Sequence, residues 1–351
     1  MSIYFSEMDA EIKKYELIFK RAAGTSRGIL KTKTSYFLKL KNKGETAYAE
    51  FPLFHGLSYD DRPEYETKLK EVVQDIESFL LNPHQLTEWP SIRFGIEMAS
   101  ECLKSGPAFG TESFGGNKDS IRINGLIWMG SEDFMKEQIE EKLKQGFSCL
   151  KMKIGAIDFE TELSLLKSIR ESFSSQELEI RVDANGAFSA EEAMDKLSRL
   201  AELDIHSIEQ PIKQGQLDAM ANLCSASPLA IALDEDLIGV NLLADKRSLI
   251  EHIRPQYLIL KPALLGGFSA SEEWISIAEQ QGIDWWATSA LESNLGLNAI
   301  AQWLSKFDLK LPQGLGTGQL FENNITSPLV LDSDQLSYDP SIKWDLKCLG
   351  F

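Results

Sequence analysis

Charged residues end five apolar segments in the middle of the chain, and their types suit one kind of chemistry. "CLKMKIG" carries Lys151 and Lys153, and "EIRVDANG" carries Arg181, Asp183 and Asn185. "IHSIEQP" ends on Glu209, "LAIALDED" on Asp234 and "YLILKP" on Lys261. Side chains along a strand alternate between its two faces. Lys151 and Lys153 therefore share a face opposite Leu150, Met152 and Ile154, and Arg181, Asp183 and Asn185 share one opposite Val182 and Ala184. From Lys153 the steps to Asp183, Glu209, Asp234 and Lys261 are 30, 26, 25 and 27 residues. Three carboxylates converging in one interior would repel each other and take up protons. A hard divalent cation such as Mg²⁺ removes that cost, because it prefers oxygen ligands and keeps room for water or substrate. Asp183, Glu209 and Asp234 are the three candidate ligands. Desolvation and neighbouring positive charge lower a lysine pKa, so a flanking lysine becomes a candidate general base. The chemistry that fits is proton removal next to a carboxylate, with the developing charge held on the substrate oxygens.

Each motif alone has a plainer meaning. A lysine pair two apart is usually a solvated edge face, Asp183 before Asn-Gly is usually a turn, and "DED" is usually an acidic loop. Lys261 before Pro262 would be a snorkelling surface lysine. The functional reading rests on five consecutive segment ends carrying K-x-K, D, E, D and K at similar spacing. Within "LDED", Glu235 adjoins Asp234 and Asp236 shares its parity; "ALDE" favours Asp234.

These ends need a scaffold that gathers strand termini. From about residue 120 strand and helix patterns alternate. "SIRINGLIWM" reads as a strand, "SEDFMKEQIEEKLKQG" as a helix with Met135, Ile139 and Leu143 on one face, and Ser189 with Glu192 as a capping box. "DWWATSALES" and "LPQGLGTG" read as the seventh and eighth strands. Repeated β-α units indicate a parallel α/β fold, and eight strands favour a closed barrel whose strand C-termini carry the chemistry. No G-x-G-x-x-G follows the first strand, which disfavours a dinucleotide-binding sheet. Residues 1–115 read instead as an α+β domain, with β segments in "YELIFK" and "SYFLKLKN" and helices in "EYETKLKEVVQDIESFLLN" and "SIRFGIEMASECLK". The barrel is expected over 116–325, with a tail of about 326–351 returning to the first domain.

The 351 residues carry a formal charge of −17, which argues against a nucleic-acid partner but leaves a small anionic carboxylate substrate open. The four cysteines (Cys102, Cys149, Cys224 and Cys348) make no metal-ligand spacing and fit a reduced, cytoplasmic setting. The charged N-terminal stretch lacks a signal-peptide core, and no apolar run approaches a membrane span, so a soluble protein is expected.

The order K-x-K, D-x-N, E-Q-P, D-E, K-P resembles the enolase superfamily, in its muconate-lactonising subgroup, across nearly the whole chain. "TSALESNLGLNAIAQWL" and "LPQGLGTGQLF" are most similar to the o-succinylbenzoate synthase family of menaquinone synthesis. The resemblance implies a modified (β/α)7β TIM-type barrel under an N-terminal α+β capping domain, with loops around Gly24 and Gly56 closing over the substrate. It implies a hydro-lyase that dehydrates a cyclohexadiene carboxylate. Mg²⁺, with Mn²⁺ as substitute, would sit on Asp183, Glu209 and Asp234. Lys153 would be the base, and Lys261 would face it and support the anion by its charge. Lys151 would hold the Lys153 pKa down near the substrate carboxylate. Arg181, Asn185, Ser289 and Gly316 would contact or support the substrate.

The same constellation serves racemases and epimerases, with Lys153 and Lys261 as paired bases. An N-acylamino acid racemase stays open. A dipeptide epimerase usually has a D-x-D near the eighth strand, where this chain reads "GLGTGQL". Sugar-acid dehydratases generally use a histidine at the seventh strand, and His55, His84, His206 and His252 all lie elsewhere in the sequence. A catalytically inactive metal-binding barrel is the non-enzyme alternative; it would have no need of Lys153 and Lys261.

Overall fold

The computed structural model describes residues 8–25, 28–107 and 109–351. The chain opens with a three-stranded antiparallel sheet of β1 (Asp9–Thr25), β2 (Gly28–Asn42) and β3 (Glu45–Phe51). Lys43 and Gly44 join β2 to β3 with φ of 50° and 89°, the positive pair a two-residue primed turn requires. The third strand, short and following this turn, was not expected from the sequence pattern. One helix expected between residues 64 and 82 is instead two, α1 (Tyr65–Gln74) and α2 (Ile76–Leu81), because Asp75 leaves helical geometry at φ −129°, ψ 45°. Helix α3 (Pro90–Ser105) starts on a proline, whose missing N–H costs nothing in the first turn, and ends at Gly106. It lies flat on β3 only because residue 95 is glycine: a Cβ there would collide with the Phe51 ring and stand 2.7 Å from the Glu50 carbonyl.

Between β3 and α1 the loop around Gly56 is tightly tied. The Gly56 N–H donates to Asp61 Oδ2 at 2.7 Å, and Phe54 N–H donates to Ser58 Oγ at 2.9 Å. Asp60 reaches across to the N-terminus of α3, accepting from the Ser91 N–H at 3.0 Å and the Ser91 hydroxyl at 2.7 Å. It thus caps a distant helix and pins the loop. Its burial pushes the carboxyl up to about 6, despite those two donors. Folding therefore takes up a proton between the ordinary aspartate value near 4 and about 6. The contribution of Asp60 to stability is therefore fully present below that window and is lost as pH rises through it, by at most about 3 kcal/mol. Asp60→Asn is expected to flatten the fall of Tm between about pH 4 and 6, measured by calorimetry; an unchanged slope would assign it to other groups. Of the other expected capping loop, Gly24 lies in the last residues of β1, paired with Ile29 of β2, and Ser26 and Arg27 lie outside the described residues.

The expected strand "SIRINGLIWM" divides. β4 (Ile121–Arg122) pairs with the C-terminal hairpin, while β5 (Gly125–Ile127) opens the barrel. Then follow α4 (Glu132–Lys144), β6 (Cys149–Lys153), α5 (Phe159–Ser172), β7 (Glu179–Asp183), α6 (Ala190–Ala201) and β8 (Ser207–Glu209). The circuit continues with α7 (Leu217–Ala226), β9 (Ile231–Leu233), α8 (Leu243–Ile253), β10 (Tyr257–Leu260), α9 (Pro262–Leu265), α10 (Gly267–Gln281), β11 (Asp284–Ala287) and α11 (Asn294–Leu304). Helix α6 carries the expected capping box of Ser189 and Glu192. The seven strands β5 to β11 lie parallel in strict sequence order. The eighth stave is only Gln313 and Gly314, which bridge Ile123 on one side and Thr288 on the other. Their backbone bonds (Asn124 N to Gln313 O, 3.0 Å; Gly314 N to Ala287 O, 2.7 Å) close the ring. This is a TIM-type barrel under an N-terminal antiparallel domain.

The tail forms the hairpin β12 (Leu329–Asp332) and β13 (Gln335–Tyr338) against β4, and its last ring, Phe351, lies 5.8 Å from Tyr48 of the capping sheet. Among the described residues no helix is long and apolar enough to cross a membrane.

Candidate active site

The parallel register sets charged strand ends side by side. Lys153 pairs with Asp183, and Asp183 with Glu209, across β6, β7 and β8. Asp234 follows β9 and Lys261 follows β10. In an eight-membered ring, β6 and β10 stand four staves apart, so Lys153 and Lys261 rise from opposite sides of the mouth. Both line one pocket, together with Lys151, Asn185, Glu235, Ser289 and Gly316.

Ammonium groups interleave with carboxylates there. Lys151 Nζ lies 2.9 Å from Asp183 Oδ2 and 2.5 Å from Glu209 Oε2. Lys153 Nζ shares Asp183 Oδ2 at 2.9 Å and donates to Asn185 Oδ1 at 2.6 Å. Lys261 bonds Asp234 and lies 3.7 Å from Glu209 Oε1. Burial alone would push the Asp183 carboxyl up, but Lys151, Lys153 and Lys261 together hold it well below the usual range. Glu209, buried and next to the Asp183 charge, is pushed up to about 8. Asp234 is also raised by burial, against the pull of Lys261.

Two of the lysines, Lys151 and Lys261, are shifted upward. Burial favours the neutral amine, yet Lys151 is raised because Asp183 and Glu209 outweigh it, and Lys261 is raised by Asp234 and Glu209. The sequence shows burial and neighbouring cations; only the folded site shows how closely the carboxylates approach.

Among the described residues no three His, Cys, Asp or Glu side chains close around a common point as they stand, because the ammonium groups lie between the carboxylates. The donor chemistry still fits a hard cation. Asp183, Glu209 and Asp234 offer only oxygen, and Glu209 Oε1 is buried without a hydrogen-bond partner, a costly state for a polar atom.

The "LDED" ambiguity resolves into three jobs. Asp234 faces Lys261; Glu235 accepts from Asn185 Nδ2 at 3.0 Å; Asp236 accepts from Gln210 Nε2 at 2.8 Å and the Gly215 N–H at 2.8 Å. Asn185 takes φ 44°, which turns its side chain back between Lys153 and Glu235. Arg181 is not in the pocket. It is buried toward the barrel base, where it donates to Glu179 at 2.6 Å and to the Pro312 carbonyl at 2.9 Å, 4.0 Å from the Trp286 ring. Parity put it on the inner face, but it sits one layer below the mouth. Of the four histidines, none lines the pocket.

Sequence reasoning did not pick out Phe54, Leu57, Asn124, Trp128, Thr288 or Thr317, which also line the wall. Trp128 follows the first barrel strand, so a strict reading of strand C-terminal ends would have found it; Asn124 precedes that strand and shares the parity of Trp128. Phe54 and Leu57 come from the tied loop around Gly56 and carry no local signal.

A closed parallel barrel with carboxylates and lysines at successive strand ends defines an enzyme class, and the match is direct. Residues 134–331 match the family described as enolase C-terminal domain-like, and the chain belongs to it. The chain is 48% identical to the o-succinylbenzoate synthase of Desulfotalea psychrophila, over 94% of this chain and 99% of that one. The crystal structure of MenC from Desulfotalea psychrophila superposes with a TM-score of 0.84 at 43% identity, covering 95% of this chain and 100% of that one. The N-succinylamino acid racemase of Thermus thermophilus is 28% identical over 82% of this chain and 79% of its own length.

Proposed function

We propose that the chain is a hydro-lyase catalysing the o-succinylbenzoate synthase reaction of menaquinone synthesis. In that reaction a succinyl-bearing hydroxycyclohexadiene carboxylate loses water to become the aromatic succinylbenzoate. The 48% identity to an o-succinylbenzoate synthase over nearly the full length of both chains carries this reading. The charged strand ends around one pocket support the residue roles that follow. Asp183, Glu209 and Asp234 would hold a divalent cation, Mg²⁺ or in its stead Mn²⁺. When bound, it would supply positive charge to the substrate carboxylate as the neighbouring proton leaves. Lys153, at the pocket wall, takes that proton; the C–H electron pair moves toward the carboxylate. When the pair returns, the C–O bond breaks and Lys153 gives its proton to the departing hydroxide, forming water. One lysine serves both transfers, so the elimination is syn. Lys261 stands across the mouth and stabilises the anion by its charge. Asn185 positions Lys153, and Ser289 and Gly316 contact the substrate. Residues 1–115 form the cap, joined by the last residues of the tail near Phe351, and 116–325 the catalytic barrel, against whose β4 the hairpin of the tail is paired.

The chelator-treated protein is expected to be inactive and to regain dehydration, followed by ultraviolet absorbance of the aromatic product, on adding Mg²⁺. N-succinylamino acids run beside the diene form the control. A Mg²⁺-dependent racemase signal with no dehydration would overturn the substrate while leaving the proton chemistry.

A further inference from the structure

A second cluster of buried ionisable groups lies behind the pocket wall. Lys33 on β2 is 5% exposed and donates to Ser35 Oγ at 3.1 Å; Ser35 donates to Glu50 Oε1 at 2.7 Å. Glu50, at the end of β3, also accepts from the Ser293 N–H at 3.1 Å, the Ser293 hydroxyl at 2.6 Å and the Gly296 N–H at 3.1 Å. The capping sheet thereby holds the N-terminus of α11, and the Ser35 hydroxyl links Lys33 to Glu50.

Glu292 is fully buried beside this pair. Its Oε2 lies 2.5 Å from Ser289 Oγ, and its Oε1 has no hydrogen-bond partner. Ser289 Oγ also accepts from the Leu291 N–H at 3.0 Å and meets Thr317 Oγ1 at 2.8 Å. Ser289 and Thr317 line the pocket, and Glu292 does not.

A hydroxyl has one hydrogen and two lone pairs. If Glu292 is ionised, the Ser289 hydrogen points to it and the Thr317 hydrogen points to Ser289. The pocket then faces lone pairs, which repel an anion. If Glu292 keeps its proton, the direction reverses. Glu292 donates to Ser289, Ser289 donates to Thr317 or to the pocket, and one hydroxyl hydrogen reaches the substrate. We propose that Glu292 is a positioning residue that remains un-ionised in the resting site and thereby turns the Ser289 and Thr317 hydroxyls into donors for an anionic oxygen of the substrate.

The environment supports this assignment. Burial pushes the Glu292 carboxyl up, and of the charged groups facing it Lys33 lowers it while Glu50 raises it. An ionised carboxylate with one oxygen orphaned in a fully buried site would be costly. The identity of the anion rests on the dehydratase reading above; the protonation of Glu292 does not.

The experiment compares kcat and KM of the Mg²⁺-loaded enzyme from about pH 6 to 9, with infrared spectra of the same proteins. Glu292→Ala is expected to raise KM about 10- to 100-fold, the range for losing a hydrogen bond to a charged group, with kcat changed far less. Glu292→Gln is expected to restore KM, because its amide donates as the un-ionised acid does. Wild-type KM should rise at alkaline pH as Glu292 ionises, and the Gln variant should lack that rise. Neutral wild type should show an un-ionised carboxyl stretch that Glu292→Gln removes. A Gln variant with KM as poor as Ala, an alkaline rise kept in Glu292→Gln, or a missing carboxyl band would each overturn the proposal. Should Glu292→Gln fail to fold, Ser289→Ala must show a raised KM without the alkaline rise, and a pH-dependent KM there would overturn it. The infrared band needs no turnover, so a chain that shows it but does not dehydrate the diene refutes the substrate reading instead.

Discussion

Lys153→Ala is expected to lower kcat for dehydration by about 10²- to 10⁴-fold, the range for removing a positioned acid–base group. The upper end is expected, because the proposed mechanism uses this amine twice, once to take a proton and once to return it. Stability should change little. Asp183, the carboxylate that Lys153 touches, keeps Lys151 at 2.9 Å and the Asn185 N–H at 3.0 Å. No buried carboxylate is left unpaired, so the large penalty for breaking a buried ion pair does not arise. Turnover, α-deuterium exchange in D₂O and Tm together decide. A variant that kept full turnover while melting lower would show that Lys153 is a scaffold residue and would return the protein to the inactive-barrel reading.

The second large effect concerns the carboxylates. Glu209→Gln should lower kcat/KM by about 10³-fold, since a metal's stabilisation of developing charge is worth several kcal/mol. It should also abolish the rise in Tm that Mg²⁺ gives the wild type by binding the folded state. Gln is the informative choice. It is isosteric, and its carbonyl can still accept from Lys151, which lies 2.5 Å from Glu209 Oε2. Without added metal its Tm should stay close to that of wild type. Asp183→Ala would be less clear, because it strips a shared partner from two ammonium groups at once. A Glu209→Gln protein still stabilised by Mg²⁺ and still active would place the cation elsewhere.

These tests also separate the two groups of glutamates. Glu209 belongs to the mixed cluster at the mouth, and its loss should appear in kcat and metal dependence. Glu292 acts behind the wall through Ser289, and its loss should appear in KM and in the alkaline limb. Asp60 touches neither group; its effect should be confined to stability and to how firmly the loop carrying Phe54 and Leu57 is held.

Much of the barrel was legible in the chain because strand alternation and helix periodicity are local consequences of backbone geometry. Lys151 with Lys153, then Asp183, Glu209, Asp234 and Lys261, could be placed on inner faces and in circular order from spacing alone. The capping box at Ser189 was readable for the same reason: its partners lie three residues apart. What needed the folded chain was depth and pairing. Arg181 has the parity of Asp183 but lies one layer lower, bonded to a carbonyl 131 residues away. Asp236 has the parity of Asp234 yet is spent on Gln210 and a loop N–H. Glu50 meets Ser293 across 243 residues, and the eighth stave is two residues held by neighbours on both sides. Periodicity tells which way a side chain points. Only the stagger of the closed barrel and the docking of the capping sheet decide what it meets, and those depend on contacts between segments far apart in the sequence.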